Sequence, residues 1–266
     1  MKFDQISLGA NQRLNFYRQR IVRGLSPNPN TYLVLQWLQQ NRASISALLP
    51  NNFAPDNAIY LDLSAPNSDQ SDDMKSMATD INTLLQKTGA SVALGRYDED
   101  RHCYQSEVFK NQSESRSVHI GVDIFVPPGT TLYAPLNATV HSFQNNDNPL
   151  DYGPTIILQH QISADLSFFS LYGHLSHASL MNLAVGKTFA AGENFATVGA
   201  MDENGGWPPH VHVQLIVDML DFVGDFPGVI SLEEADLWMD LCPNPFDFLK
   251  LPEQTNSNVI PFAFAK

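Results

Sequence analysis

Two periods of apolar residues divide the chain. Between residues 31 and 49, Val34, Leu35, Leu38, Ile45, Leu48 and Leu49 fall largely on one helical face, and Pro50 follows as a stop. "AIYLDL" (58–63) then reads as a short strand. Met74, Met77, Ile81, Leu84 and Leu85 recur at three- and four-residue spacing, with Gly89 placed to end a second helix. "SVALGRY" (91–97) follows as another strand, so strand, helix, strand predicts a βαβ unit. From about residue 115 the period shortens. "SVHIGVDIFV", "TTLYAP", "ATVHSF", "TIILQH", "SFFSLYGHL", "FATVGA" and "HVHVQLIV" are strand-like runs separated by Gly, Pro, Asn and Asp clusters. Closely spaced strands without intervening helices predict an antiparallel β region. Beyond it, Ser231-Leu-Glu-Glu234 has the form of a capping box opening a short helix through Leu241, ended by Pro243. The expected organisation is a small α/β region over 1–95, a mainly β domain over 96–218 and a helical extension over 219–266.

The strand "HVHVQLIV" carries candidate chemistry. Alternation puts His210, His212 and Gln214 on one face and Val211, Val213 and Leu215 on the other. The aliphatic face suits a core, and two imidazoles at i and i+2 can converge on one small volume. Earlier, "HIGVD" sets His119 and Asp123 four apart, and on a straight strand these also share a face. Gly121 between them permits close approach. Imidazole and carboxylate both suit zinc. In "LYGHLS", alternation pairs Tyr172 with His174. Read singly, each piece has a bland counterpart: an incidental histidine pair, a surface His–Asp pair, a half-buried strand histidine. His177 reads as loop and is assigned no role, and His102, His141 and His160 sit in no such pattern and read as solvated or structural.

Composition narrows the classes. The net charge of −13 opposes phosphate backbones and anionic lipid surfaces, so neither nucleic acid nor a membrane is an expected partner. No apolar run reaches the ~18 residues of a membrane span, and "MKFDQISLGANQRLNFYRQR" does not read as a secretory signal. The expectation is a soluble cytoplasmic protein, in which the Asn111 and Asn137 sequons mean little. The two cysteines, Cys103 and Cys242, are far apart and read as reduced structural thiols. No HExxH, GxSxG or Walker-type loop is present, and a cupin would need a glutamate soon after its HxH.

In order and spacing, "HIGVDIFVPPGTTLYAPLNATV", "LYGHLS", "VGKTFAAGENFATVGA" and "PPHVHVQL" resemble the lysostaphin-type zinc metallopeptidases over roughly residues 116–218. That family carries an HxxxD motif, a later histidine in a tyrosine-rich strand and a terminal HxH. The flanks "GRYDEDRHCYQSEVF" and "GGWPPHVHVQLIVDML" also look like a metallopeptidase-like segment found beside an aminotransferase-like domain in large bacterial proteins. The resemblance implies a compact antiparallel β fold with its site in a groove on one sheet. It implies one zinc ion per chain held by His119, Asp123 and His212, with His174 and His210 as the catalytic pair. Which of the pair is the general base stays open. A peptide or muropeptide-like substrate is implied, with Tyr172, Trp207 and Arg96 as candidate contacts. Arg96, Tyr97 and Arg101 offer an anion-binding rim, against the more ordinary reading of a solvated interdomain linker.

Some features depart from the family pattern. Gln214 stands where glutamate is common after the HxH, and "DENGGWPPH" replaces a short serine- and glycine-rich approach. Two functions are therefore carried forward. One is a working peptidase or amidase. The other is a zinc-bearing accessory module serving a metabolic, aminotransferase-like enzyme or another protein partner.

Overall fold

Strands from the first hundred residues, from the middle of the chain and from its end join one nine-stranded sheet. The computed structural model describes residues 9–53, 57–64, 74–101 and 116–262. His102, Cys103, the Asn111 sequon and most of the polar loop "SAPNSDQSDD" lie outside these residues.

Helices α1 (Ala10–Val22) and α2 (Pro29–Asn41) come first, followed by β1 (Ala58–Asp62), α3 (Met74–Thr88) and β2 (Val92–Gly95). Short strands β3 (Glu99–Asp100) and β4 (Val118–His119) precede β5 (Val122–Phe125) and β6 (Thr131–Tyr133). Two long strands, β7 (Ala138–Asn146) and β8 (Gly153–Ser163), lead to β9 (Leu166–Gly173). Then come β10 (Thr188–Phe189), β11 (Asn194–Thr197), β12 (His210–Ile216) and β13 (Val229–Ile230). Helices α4 (Ala235–Leu241) and α5 (Phe246–Leu249) and strand β14 (Val259–Pro261) complete the order.

The molecule is mainly β. The large sheet runs β10-β7-β8-β9-β12-β5-β2-β1-β14. It is antiparallel from β10 to β2, whereas β1 pairs in parallel with both β2 and β14. The β1-α3-β2 crossover is the predicted βαβ unit, and Gly89, at φ 69°, ends its helix. β2 pairs directly with β5, so the early α/β segment extends the same sheet that carries the HxxxD and HxH residues. On β12 the aliphatic residues Val211, Val213 and Leu215 are fully buried, as alternation predicts.

Two expected features are corrected. The helix over 31–49 stops at Asn41, and Ile45 is extended (φ −68°, ψ 132°). Ser46 N donates to Pro135 O, and Leu48 O accepts from Tyr133 N, both at about 2.8–2.9 Å. Ile45, Leu48 and Leu49 are therefore buried by an extended segment rather than by a helical stripe; docking beside β6 overrides the periodicity. The capping box at Ser231 is absent too, because Ser231 makes no side-chain cap bond. Glu234 turns outward instead, accepting from Arg18 Nη2 at 2.6 Å and Trp238 Nε1 at 3.1 Å.

Candidate metal centre

Register across β12 explains which side chains meet. His212 lies opposite Asp123 on β5 and opposite Gly173 on β9, whereas Val213 lies opposite Tyr172. Opposed residues share a face, so His212 and Asp123 project together and Tyr172 projects from the other side. His119 arrives differently from the straight-strand expectation. The segment breaks at Ile120–Gly121, with β4 in a separate three-stranded sheet and β5 in the large one. Gly121 makes the crossing possible: a Cβ there would lie 2.3 Å from His212 Cε1.

Three acceptor atoms then converge. His119 Nε2 is 2.9 Å from His212 Nδ1 and 3.3 Å from Asp123 Oδ1, and His212 Nδ1 is 3.0 Å from that oxygen. The outer ring nitrogens settle the tautomers. His119 Nδ1–H donates to Arg96 O at 2.9 Å. Gln214 is oriented by donating to Pro227 O at 3.0 Å, so its Oε1 faces His212 Nε2 at 3.1 Å and takes that proton. Gln214 thus supplies the acceptor a glutamate would supply, without the charge. The inner nitrogens are left as lone pairs facing a carboxylate oxygen, which is repulsive unless a cation lies among them. Ligand atoms 2.0–2.1 Å from a tetrahedral ion sit roughly 3.3 Å apart, close to the spacing here. The donor set fits zinc.

Electrostatics agree. His119 is 1% exposed, and burial, helped by Arg101, lowers its pKa to about 4, so the ring is neutral and able to ligate. Burial pushes Asp123 upward, but His119 and Arg101 outweigh it and hold the carboxyl well below its ordinary value.

His174 and His210 stand beside this cluster with ring centroids 4.2 Å apart. His210 Nδ1–H donates to Pro208 O at 2.7 Å, and His174 Nδ1–H to Asn204 O at 2.8 Å. Each Nε2 therefore keeps its lone pair, and His210 Nε2 lies 3.6 Å from Asp123 Oδ1. Burial lowers both pKa values, that of His174 the more, with each affected by neighbouring charges; both rings are neutral at pH 7. His174 reaches this face because its backbone is left-handed (φ 60°), which ends the alternation that would have kept it with Tyr172.

All five residues line a cavity of about 670 Å³. Trp207 lines it as expected. Asn204 sets that wall, its Oδ1 accepting from Gly206 N and Trp207 N and its Nδ2 donating to Trp207 O. Tyr172 and Arg96 do not line it. Tyr172 packs on Phe195, centroids 4.8 Å apart, in the core. Arg96 turns to Asp62 and Glu99 and offers the centre only its carbonyl. Of the proposed rim, Tyr97 donates to Cys242 O, and Arg101 is buried against Glu99 and Asp123. Tyr152 was not legible in sequence. Its ring lies 5.2 Å from that of His212 and sits where a Cβ on Gly173 or Gly228 would be. Arg116 also lines the cavity, its Nε buried without a hydrogen-bond partner among the described residues.

His160, read as solvated or structural, is 1% exposed and bonded to Asn137 O and Ser170 Oγ. Cys242 is a free buried thiol. No helix among the described residues is long and apolar enough to cross a membrane.

Comparison with known proteins matches residues 117–221 to the model of peptidase family M23. Among solved structures, the catalytic domain of the antimicrobial peptidase lysostaphin from Staphylococcus simulans is 25% identical, with 50% of this chain and 80% of that one covered at TM-score 0.34. A zinc-containing peptidase from Vibrio cholerae is 22% identical, with 44% and 34% covered at TM-score 0.32. The catalytic domain of the prophage-encoded M23 protein EnpA from Enterococcus faecalis is 23% identical, with 45% and 85% covered at TM-score 0.32. No curated protein matches. Over residues 117–221 the chain is therefore similar to peptidase family M23, the family of the lysostaphin-type metallopeptidases.

Proposed function

We propose that this protein is a zinc-dependent hydrolase that cleaves a peptide or amide bond, with peptidoglycan-derived peptides as the substrate class suggested by the family. The observation that carries the reading is the convergence of His119 Nε2, His212 Nδ1 and Asp123 Oδ1 within 3.3 Å, beside two further imidazoles with free Nε2 lone pairs. Three protein ligands leave a tetrahedral ion one open position. Zinc bound by His119, Asp123 and His212 would supply Lewis acidity for a carbonyl and would lower the pKa of water toward neutrality.

The remaining work falls to this chain's residues. His210, neutral and fixed by Pro208 O, takes a proton from the attacking water at Nε2. His174, fixed by Asn204 O beside His210, starts neutral with its Nε2 lone pair open, so the proton that His210 takes from water passes on through His174 Nε2 to the leaving amine. The two rings are in contact, so a proton gained at one lowers the basicity of the other, which favours stepwise transfer. Trp207 and Tyr152 form apolar walls that exclude bulk water and seat an extended chain.

The test is incubation of the zinc-loaded protein with a mixed peptide and muropeptide library, with His210→Ala as control. Cleavage seen with the wild type and absent from the control supports the hydrolase. Identical product profiles would reject it in favour of a zinc-bearing accessory module.

A further inference from the structure

We propose that Arg101 is a positioning residue that restricts Asp123 to a single ligating oxygen, so that the metal centre includes segment 95–101, outside the residues that match family M23. The inference rests on reading His119, Asp123 and His212 as the ligands.

Arg101 Nη1 donates to Asp123 Oδ2 at 2.6 Å, and its Nε donates to Glu99 Oε2 at 2.9 Å. Glu99 is held in turn through Oε1, which accepts from Leu63 N at 2.8 Å and Arg96 Nη2 at 2.7 Å. Arg101, Glu99 and Asp123 are each 3% exposed. A buried guanidinium anchored at two edges has a fixed plane, and its charge-assisted bonds are strong.

The consequence is a division of labour between the two carboxylate oxygens. Oδ2 faces Arg101. Oδ1 is the oxygen within 3.0–3.6 Å of His212 Nδ1, His119 Nε2 and His210 Nε2. A free carboxylate can ligate through one oxygen or both. With Oδ2 committed to a 2.6 Å ionic bond, only Oδ1 remains for a cation. Single-oxygen ligation keeps the count at three and the fourth position open.

Charge is balanced as well as position. Glu99 offsets Arg101, so the Glu–Arg–Asp unit carries one net negative charge, as a lone aspartate would. Asp123 therefore keeps its attraction for a cation despite the guanidinium beside it.

The fold makes room for this brace at one residue. Gly95 pairs with Asp123 across β2 and β5, and a Cβ there would lie 2.6 Å from Arg101 Nη2 and 3.1 Å from Asp123 Oδ2. The next residue, Arg96, accepts the Nδ1–H of His119 at its carbonyl. Two of the three ligands are thus oriented from segment 95–101.

The experiment uses cobalt(II) as a spectroscopic stand-in and chelator competition for zinc affinity, on full-length wild type, Arg101→Met and Glu99→Gln. Wild type is expected to show the intense visible bands of four-coordinate cobalt. Arg101→Met frees Oδ2 to ligate, so its bands weaken toward a five-coordinate pattern, and zinc affinity falls about 10–100-fold. Glu99→Gln leaves the guanidinium charge unbalanced and is expected to weaken zinc by at least about tenfold; should Arg101→Met not fold, this variant decides. Wild type that takes up no metal removes the ligand assignment itself. Wild type that binds normally, with both variants unchanged in spectrum and affinity, overturns the role of Arg101 alone.

Discussion

His174 and His210 are near neighbours with the same chemistry and different backbones. His210 sits in a regular strand, while His174 owes its position to a left-handed φ of 60° at the end of β9. Each has its Nδ1–H spent on a carbonyl, so each acts through Nε2. His210→Ala is expected to retain wild-type zinc and to lose about 10²–10⁴-fold in turnover of a cleavable peptide. Loss of metal in that variant would contradict its role as a proton acceptor. Gly121→Ala tests the crossing between sheets, because a Cβ 2.3 Å from His212 Cε1 must displace that ring. Its expected result is a protein with at least about tenfold weaker zinc binding by chelator competition; unchanged affinity would show that the ring has room to shift.

At this scale the sequence was legible where alternation holds and illegible where it breaks. His210, His212 and Gln214 share a face because β12 is a regular strand paired on both sides. Tyr172 was grouped with His174 by the same rule, and the rule stops at one left-handed residue. Arg101 stood out in sequence only as a rim candidate and Glu99 only as part of the flank "GRYDEDRHCYQSEVF"; no period or spacing placed either beside Asp123, because the contact is made across β2 and β5 at Gly95.

Among the elements, β2 and α1 both support the site from outside the matched family segment. β2 covers the edge of β5 that would otherwise be open. A fragment beginning at residue 116 would expose that edge and lose Arg101, so it is expected to aggregate and to lack stoichiometric zinc, as gel filtration and metal analysis would show. A monomeric, zinc-replete fragment would contradict this dependence. Helix α1 grips the loop after β12: Arg13 reaches Asp218 at 3.0 Å and Asp221 at 2.8 Å, and Tyr17 donates to Asp218 at 2.6 Å. That loop carries Phe222 and leads to Asp225 and Phe226, all lining the cavity. Arg13→Met removes a charged hydrogen bond to the exposed Asp221 and an ion pair to Asp218, and the midpoint of urea unfolding should fall. The βαβ unit was readable from its periods and from Gly89. The end of α2 at Asn41 was not, because the apolar residues that follow it are buried by docking beside β6.

For the whole molecule, stability should depend on buried neutral histidines. His160, on β8, lies between Phe168 and Phe248, and burial lowers its pKa from 6.5 to about 4. The unfolded chain therefore binds a proton that the folded chain refuses between those values. The contribution is fully present above the unfolded pKa and is lost as pH falls toward the folded one. Between pH 7 and pH 5, His160→Phe should lose about 2 kcal/mol less stability than wild type, measured by denaturant unfolding at both pH values. Parallel losses in the two proteins would mean that His160 is protonated within the fold.

The proposed chemistry rests on the convergence of His119, Asp123 and His212 rather than on the net charge of −13. The most direct test is the zinc content of wild type and His212→Ala after exhaustive dialysis, measured by atomic emission. One zinc per wild-type chain and none in the variant is the predicted result. Wild type without zinc, or equal zinc in both proteins, would contradict the assignment.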